Sequence, residues 1–229
     1  MFRNLSILAV FIIGLGICEY YGFIWHNSIF TVGYEVKGLD VSHHQGKIDW
    51  KEVKKEGKYD FIFLKATEGK DYVDDRFVYN WREAKKQKFL TGAYHFFSMQ
   101  SSGMEQATHF KHIVPAQSNS LPPVIDVEIT LYHDKKKVRD NLQTMLKELE
   151  KTYHKKPIIY VTYATYHTYI EHYFKDYHIW IRDIWKYPSI DKSKWILWQY
   201  HNRGRVDGIT NFVDINVYSC KLTELQQLK

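Results

Sequence analysis

The sequence predicts an α/β fold, a TIM-like barrel whose last third has lost its helices. Two observations carry this expectation. From residue 36 to about 174, apolar runs of strand length alternate with stretches of helical periodicity. Beyond 179, three apolar runs follow, joined by segments too short and too rich in Pro, Gly and Asp for crossover helices. A third observation fits both: acidic residues fall near the ends of strand runs, where a barrel places its reacting groups.

The elements follow in order. Residues 36–42 form the first strand. Asp49 caps an amphipathic helix over 49–55 that Gly57 stops. The run 61–67 is mostly apolar, as a strand covered on both faces should be. Helical spacing covers 77–88, and 90–97 is the third strand. A helix over 102–114 precedes the fourth strand at 122–128. Residues 134–153 form a long helix with Leu142, Met145, Leu146 and Leu149 on one side and charge on the other. The fifth strand is 157–162, and a shorter helix runs through Phe174. Strands at 179–182, 195–200 and 213–218 complete five βα units followed by three strands. An open doubly wound sheet is the alternative, but no Gly-rich phosphate loop supports a nucleotide-binding version of it.

Bulk properties narrow the function. The 229 residues are 45% hydrophobic and 25% charged, which suits one globular domain plus an N-terminal extension. The net charge of +6 comes from lysines scattered over helical faces, the pattern of a solvated surface. No basic stripe accompanies a recognition motif, so no nucleic-acid partner is expected. Aromatic residues make up 17% of the chain. They serve a core or stack on pyranose faces in a sugar groove. Cys18 and Cys220 imply neither a disulfide framework nor a zinc site. Metal and cofactor are both expected to be absent, and a monomer is expected.

Arg3 followed by the apolar stretch 5–18 has the form of a secretory signal. It is short for a spanning helix, which needs about 20 residues. Further apolar residues at 20–25 make residues 5–25 a candidate for membrane attachment instead. Residues 1–35 are therefore assigned to a signal or anchor segment with a short linker, and 36–229 to the barrel. Export is expected, with the barrel secreted, periplasmic or anchored outside the cytoplasm.

Asp126-Val127-Glu128 ends the fourth strand. Side chains alternate along a strand, so both acids face one surface, with Cα atoms roughly 6–7 Å apart. Paired carboxyls push their pKa values apart, which glycoside hydrolysis requires. Asp40 lies near the end of the first strand, and Asp214 lies in the last, which neighbours the first once a barrel closes. Four acids from three strands then meet in one pocket. Taken singly, Asp40 reads equally as a turn residue and Asp214 as a hydrogen-bonded strand acid.

Several motifs appear together with these acids. They are Gly38-Leu39-Asp40-Val41-Ser42, His44-Gln45-Gly46 and Ile48-Asp49-Trp50, then Phe63-Leu64-Lys65-Ala66-Thr67-Glu68-Gly69 and Gly92-Ala93-Tyr94-His95-Phe96. Pro123-Val124-Ile125-Asp126-Val127-Glu128, Trp198-Gln199-Tyr200 and Val213-Asp214-Ile215-Asn216 complete the set. Over about residues 36–220 the chain thereby resembles the family 25 glycoside hydrolases, the Chalaropsis-type lysozymes (N-acetylmuramidases). The resemblance implies a modified (β/α)5(β)3 barrel. It implies hydrolysis of the β-1,4 bond between N-acetylmuramic acid and N-acetylglucosamine in a peptidoglycan glycan strand. It gives Glu128 the role of general acid. Asp126 would stabilise developing charge or orient the substrate acetamido group as internal nucleophile, and Asp40 and Asp214 would flank them. Tyr94, Tyr160, Trp180 and Gln199 would line the groove. A non-catalytic glycan binder, or a hydrolase of another 2-acetamido polymer such as chitin, is the alternative.

Carboxyl separations of about 5–5.5 Å suit a covalent glycosyl-enzyme and about 6.5–9.5 Å suit inversion. Substrate assistance escapes that rule, and the resemblance implies net retention by that route. Other polar residues have two readings each. His95 is a substrate contact or pocket-acid partner, or else a structural hydrogen bonder. His43 and His44, read as neighbours on a strand, point to opposite faces and make a poor metal site. Glu68 borders the groove or belongs to a turn. Arg182, two residues beyond Trp180, adds a positive charge to the groove.

Overall fold

The computed structural model describes residues 2–228, with side-chain environments given from residue 7 onward. Eight strands close on themselves: β1 (Lys37–Val41), β2 (Phe61–Glu68), β4 (Leu90–Phe96), β5 (Val124–Val127), β6 (Ile158–Val161), β7 (His178–Arg182), β8 (Trp195–Gly204) and β9 (Val213–Tyr218). A two-residue β3 (Tyr72–Val73) folds back on the end of β2. Closure comes from β1, which pairs in parallel with β2 and antiparallel with β9. All neighbours from β1 through β8 run in parallel, and β9 is antiparallel to both β8 and β1. An open sheet is thereby ruled out, and the (β/α)5(β)3 expectation holds.

Helices cover the outside where the chain must cross over: α2 (Trp50–Lys55), α3 (Phe77–Lys86), α4 (Gly103–Ile113) and α5 (Lys135–Tyr153). After β6 the crossover is short, α6 (Tyr163–Thr165) running into a π turn over Tyr166–Ile170. Local chemistry sets the boundaries. Ser102 and Glu105 form a capping box that starts α4. Asp134 accepts from Lys137 N at 2.8 Å to start α5, and left-handed His154 ends it.

The strands bury both faces, which is why their sequences are almost continuously apolar. Phe61, Phe63, Val124, Ile158, Trp180 and Leu197 fill the barrel interior. Ile62, Leu64, Ile125, Val127, Ile159 and Val161 alternate with them and meet the α5 face of Leu142, Met145 and Leu146 outside. Gly38 and Gly92 make room for the interior rings. A Cβ at either would fall 2.3 Å from Phe61 or Phe63.

Part of the presumed linker belongs to the packed body. Trp25 Nε1 donates to Tyr200 O at 2.7 Å, and its ring stacks on His201 with centroids 4.5 Å apart. Asn27 is fully buried and donates to Asp183 O at 2.9 Å and Tyr200 O at 3.2 Å. These residues brace the loop after β7. Ahead of them, α1 (Phe2–Tyr20) leaves Ile7, Val10, Phe11 and Ile13 exposed. Among the described residues, no helix is long and apolar enough to cross a membrane. A C-terminal helix, α7 (Leu222–Leu228), buries Leu225 against the barrel interior cluster. The sequence reading did not anticipate it.

Candidate active site

The four acids converge at the C-terminal mouth of the barrel, in a pocket of ≈ 590 Å³ open to solvent. Asp40, Asp126, Glu128 and Asp214 line it together with Tyr94, Tyr160, Trp180, Lys65 and His44. Register explains the meeting. Asp40 on β1 stands directly opposite Asp214 on β9. Asp126 on β5 is level with Phe96 on β4 and Tyr160 on β6, and Tyr160 with Trp180 on β7. Glu128 follows Asp126 by two residues, so it points inward one step closer to solvent. It is exposed at the mouth, whereas Asp126 is only 8% exposed.

Two hydrogen-bond relays position the flanking acids. Trp180 Nε1 donates to Asn216 Oδ1 at 2.9 Å, which turns the Asn216 amide so that Nδ2 donates to Asp40 Oδ2 at 2.7 Å. Tyr160 donates its hydroxyl to Gln199 Oε1, and the Gln199 amide in turn favours the charged form of Asp214. Trp180 and Gln199 are 1% and 2% exposed, so they act mainly by holding other groups. Tyr94 is half-buried against the acids, which, after burial itself, raise its own pKa.

Electrostatics favour protons in this pocket. Burial raises Asp40 well above the carboxylate range, Asp214 adds to the rise, and the Asn216 hydrogen bond opposes it. Burial and then Glu128 and Asp40 do the same to Asp126, against Lys65 and Arg182. Asp214 is pushed up to about 6 by burial. Crowding by the surrounding protein raises Glu128 as well, and Arg182 pulls it back. Like charges this close do not all ionise together. Asp126 Oδ1 is buried without a hydrogen-bond partner.

His95 is not among these groups. It alternates with Tyr94 and Phe96, so it faces the outer layer under α4. There it is fully buried between Thr67 Oγ1 at 2.7 Å and Gln106 Oε1 at 3.0 Å, and burial lowers its pKa to about 4. His95 therefore lies in the outer layer beneath α4, away from the pocket lining, where the sequence had offered a groove contact. Nor do His43 and His44 lie on a strand. The strand stops at Val41, and Ser42 and Gln45 close a capped turn. That turn brings the two rings to 4.0 Å at a tilt of 41°, sends His44 into the pocket and ties His43 Nδ1 to Asp74 at 2.8 Å. Glu68 ends β2 and binds Lys65 at 2.7 Å. Asn216 and Lys65 are further functional neighbours of the acids that local spacing does not distinguish. A polar residue inside an apolar strand run was the available signal, because buried polar groups need partners.

A closed barrel with clustered carboxyls at its mouth is an arrangement that carboxyl-dependent glycoside hydrolysis can use. Comparison with known proteins narrows this class. The model of Glycosyl hydrolases family 25 matches residues 39–209. Lysozyme M1 of Streptomyces globisporus is 31% identical over 214 residues, spanning 84% of this chain and 71% of that protein. The uncharacterized protein YegX of Escherichia coli K12 is 39% identical over 198 residues, 84% of this chain and 73% of that one. A family 25 glycosyl hydrolase from Bacillus anthracis superposes with TM-score 0.80 at 41% identity, covering 85% of this chain and 93% of that one. The chain belongs to glycosyl hydrolase family 25 and is a glycoside hydrolase of the lysozyme type.

Proposed function

We propose that the protein cleaves the β-1,4 bond between N-acetylmuramic acid and N-acetylglucosamine in peptidoglycan. Glu128 is the general acid. It stands at the mouth, where a glycosidic oxygen can reach it, and its raised pKa keeps a proton available toward neutrality. The observation that carries the reading is Asp126 Oδ1, buried in the pocket and unpartnered two residues before Glu128. A substrate acetamido N–H supplies the missing donor. The acetamido oxygen, so oriented, attacks the anomeric carbon as the leaving oxygen takes the proton from Glu128. Water then opens the resulting ring with net retention. Asp40 and Asp214 hold the pocket's charge and shape through their relays.

Glu128→Gln removes the proton donor and lowers the rate of wall clearance by about 10²–10⁴-fold. A variant that cleared purified walls at the parent rate would refute the assignment. NMR of the first-formed anomer on a soluble fragment tests the stereochemistry, and an α product overturns retention. Equal release from chitin and peptidoglycan would move the substrate to 2-acetamido polymers in general.

We also propose export, with the barrel outside the cytoplasm and residues 5–25 attaching it to lipid. Support comes from the exposed apolar side chains of α1. Cell fractionation checks this, and a soluble cytoplasmic protein would contradict it.

A further inference from the structure

Arg182 ends β7, two residues beyond the pocket residue Trp180. Asp126, Tyr160 and Trp180 lie side by side across β5, β6 and β7. Two residues further on come Glu128, just past the end of β5, Thr162, just past the end of β6, and Arg182, the last residue of β7. Strands lie about 4.8 Å apart, so the Cα atoms of Glu128 and Arg182 are roughly 10 Å apart across the mouth. Two long side chains at that spacing can engage one ligand from opposite sides. The positive charge of Arg182 bears on all four acids, lowering each.

Nevertheless, among the described residues no carboxylate comes within 4.0 Å of the Arg182 guanidinium. Lys65, the cation deeper in the pocket, is already engaged by Glu68 at 2.7 Å. Arg182 is half-buried, so part of its stem is held against the protein while the residue keeps access to solvent. A glycan bearing carboxylates would meet repulsion from whichever pocket acids are ionised unless a cation received it. The planar fork of a guanidinium matches a carboxylate with two parallel hydrogen bonds.

We propose that Arg182 is a specificity-determining residue that binds a carboxylate carried on the 3-O-lactyl arm of the muramoyl sugar, either the arm's own or one on the peptide attached to it. The assignment rests on the muramidase reading above and adds to it the recognition of substrate charge. Neither the pocket acids nor the aromatic lining can supply that recognition.

The experiment measures kcat/KM for the parent, Arg182→Ala and Arg182→Lys on four soluble glycans. The first keeps its peptides. The second has had them removed, leaving free lactyl carboxylates. The third and fourth are these two after conversion of their carboxylates to neutral amides. The expected result is a charged-to-neutral preference in the parent that falls about tenfold to a hundredfold in Arg182→Ala, mostly through KM. Arg182→Lys recovers part of it, because the charge remains and the fork does not. A loss confined to the peptide-bearing glycan assigns the contact to a peptide carboxylate, and a loss on the stripped glycan assigns it to the lactyl group. An unchanged preference in Arg182→Ala overturns the proposal, whether activity as a whole is kept or lost. A parent that cleaves none of the glycans fails the muramidase reading itself, and this assignment falls with it.

Discussion

Asn216 is the joint of the Trp180–Asp40 relay, and Asn216→Ala breaks both of its bonds at once. The residue is fully buried, and Trp180 is 1% exposed, so no bulk water replaces the lost acceptor. An indole N–H left without a partner costs about 1–3 kcal/mol. The space vacated by the amide adds about 1 kcal/mol. A loss of roughly 2–4 kcal/mol lowers Tm by roughly 4–16 °C in a domain of this size. The loss also depends on pH. Asn216 opposes the rise in Asp40's pKa, so its removal raises that pKa further. A group whose folded pKa is raised stabilises fully below its ordinary value and progressively less as pH climbs through the folded value. The gap between parent and variant therefore widens as pH climbs through the raised folded pKa of Asp40. Urea denaturation across a pH series measures it. A gap that stays constant from acid to alkaline pH would refute the coupling to Asp40, and no gap at any pH would refute the relay.

His95 gives the opposite sign. Its folded pKa is depressed to about 4, so the stability it contributes is present above about 6.5 and is lost as pH falls toward 4. In His95→Gln, whose amide cannot titrate, that part of the acid sensitivity should vanish from a plot of unfolding free energy against pH. Gly92→Ala places a Cβ 2.3 Å from the Phe63 ring inside the barrel. Overpacking of this kind costs about 1–3 kcal/mol, read as a lower denaturation midpoint with little change in slope.

The barrel was legible because its strands are buried on both faces and its helices on one. Apolar runs and helical spacing therefore alternate visibly until the helices stop after β6. The acids were legible because Asp126 and Glu128 share a strand face and Asp40 and Asp214 sit on strands that closure makes neighbours. The same double burial hid the orientation of His95. Ala93, Tyr94, His95 and Phe96 look alike from either side. Only Gly92, which must face the Phe63 ring, fixes which of them point inward. The turn at Ser42–Gln45 escaped because its capping bonds depend on side chains folding back locally. Trp25 and Asn27 looked like linker because their partners are backbone carbonyls of residues more than 150 positions away, and these leave no trace in local spacing.

The fastening of Trp25 and Asn27 restricts how a leader could be trimmed. A peptidase cutting before Trp25 releases α1 and leaves the indole seated on His201 and bonded to Tyr200. A cut after Asn27 would take away the donors that steady the Asp183 and Tyr200 carbonyls, and with them the support of the strand-to-strand connection carrying Trp185. Any trimming that leaves the fold intact is thus confined to bonds upstream of residue 25, where the packed body begins.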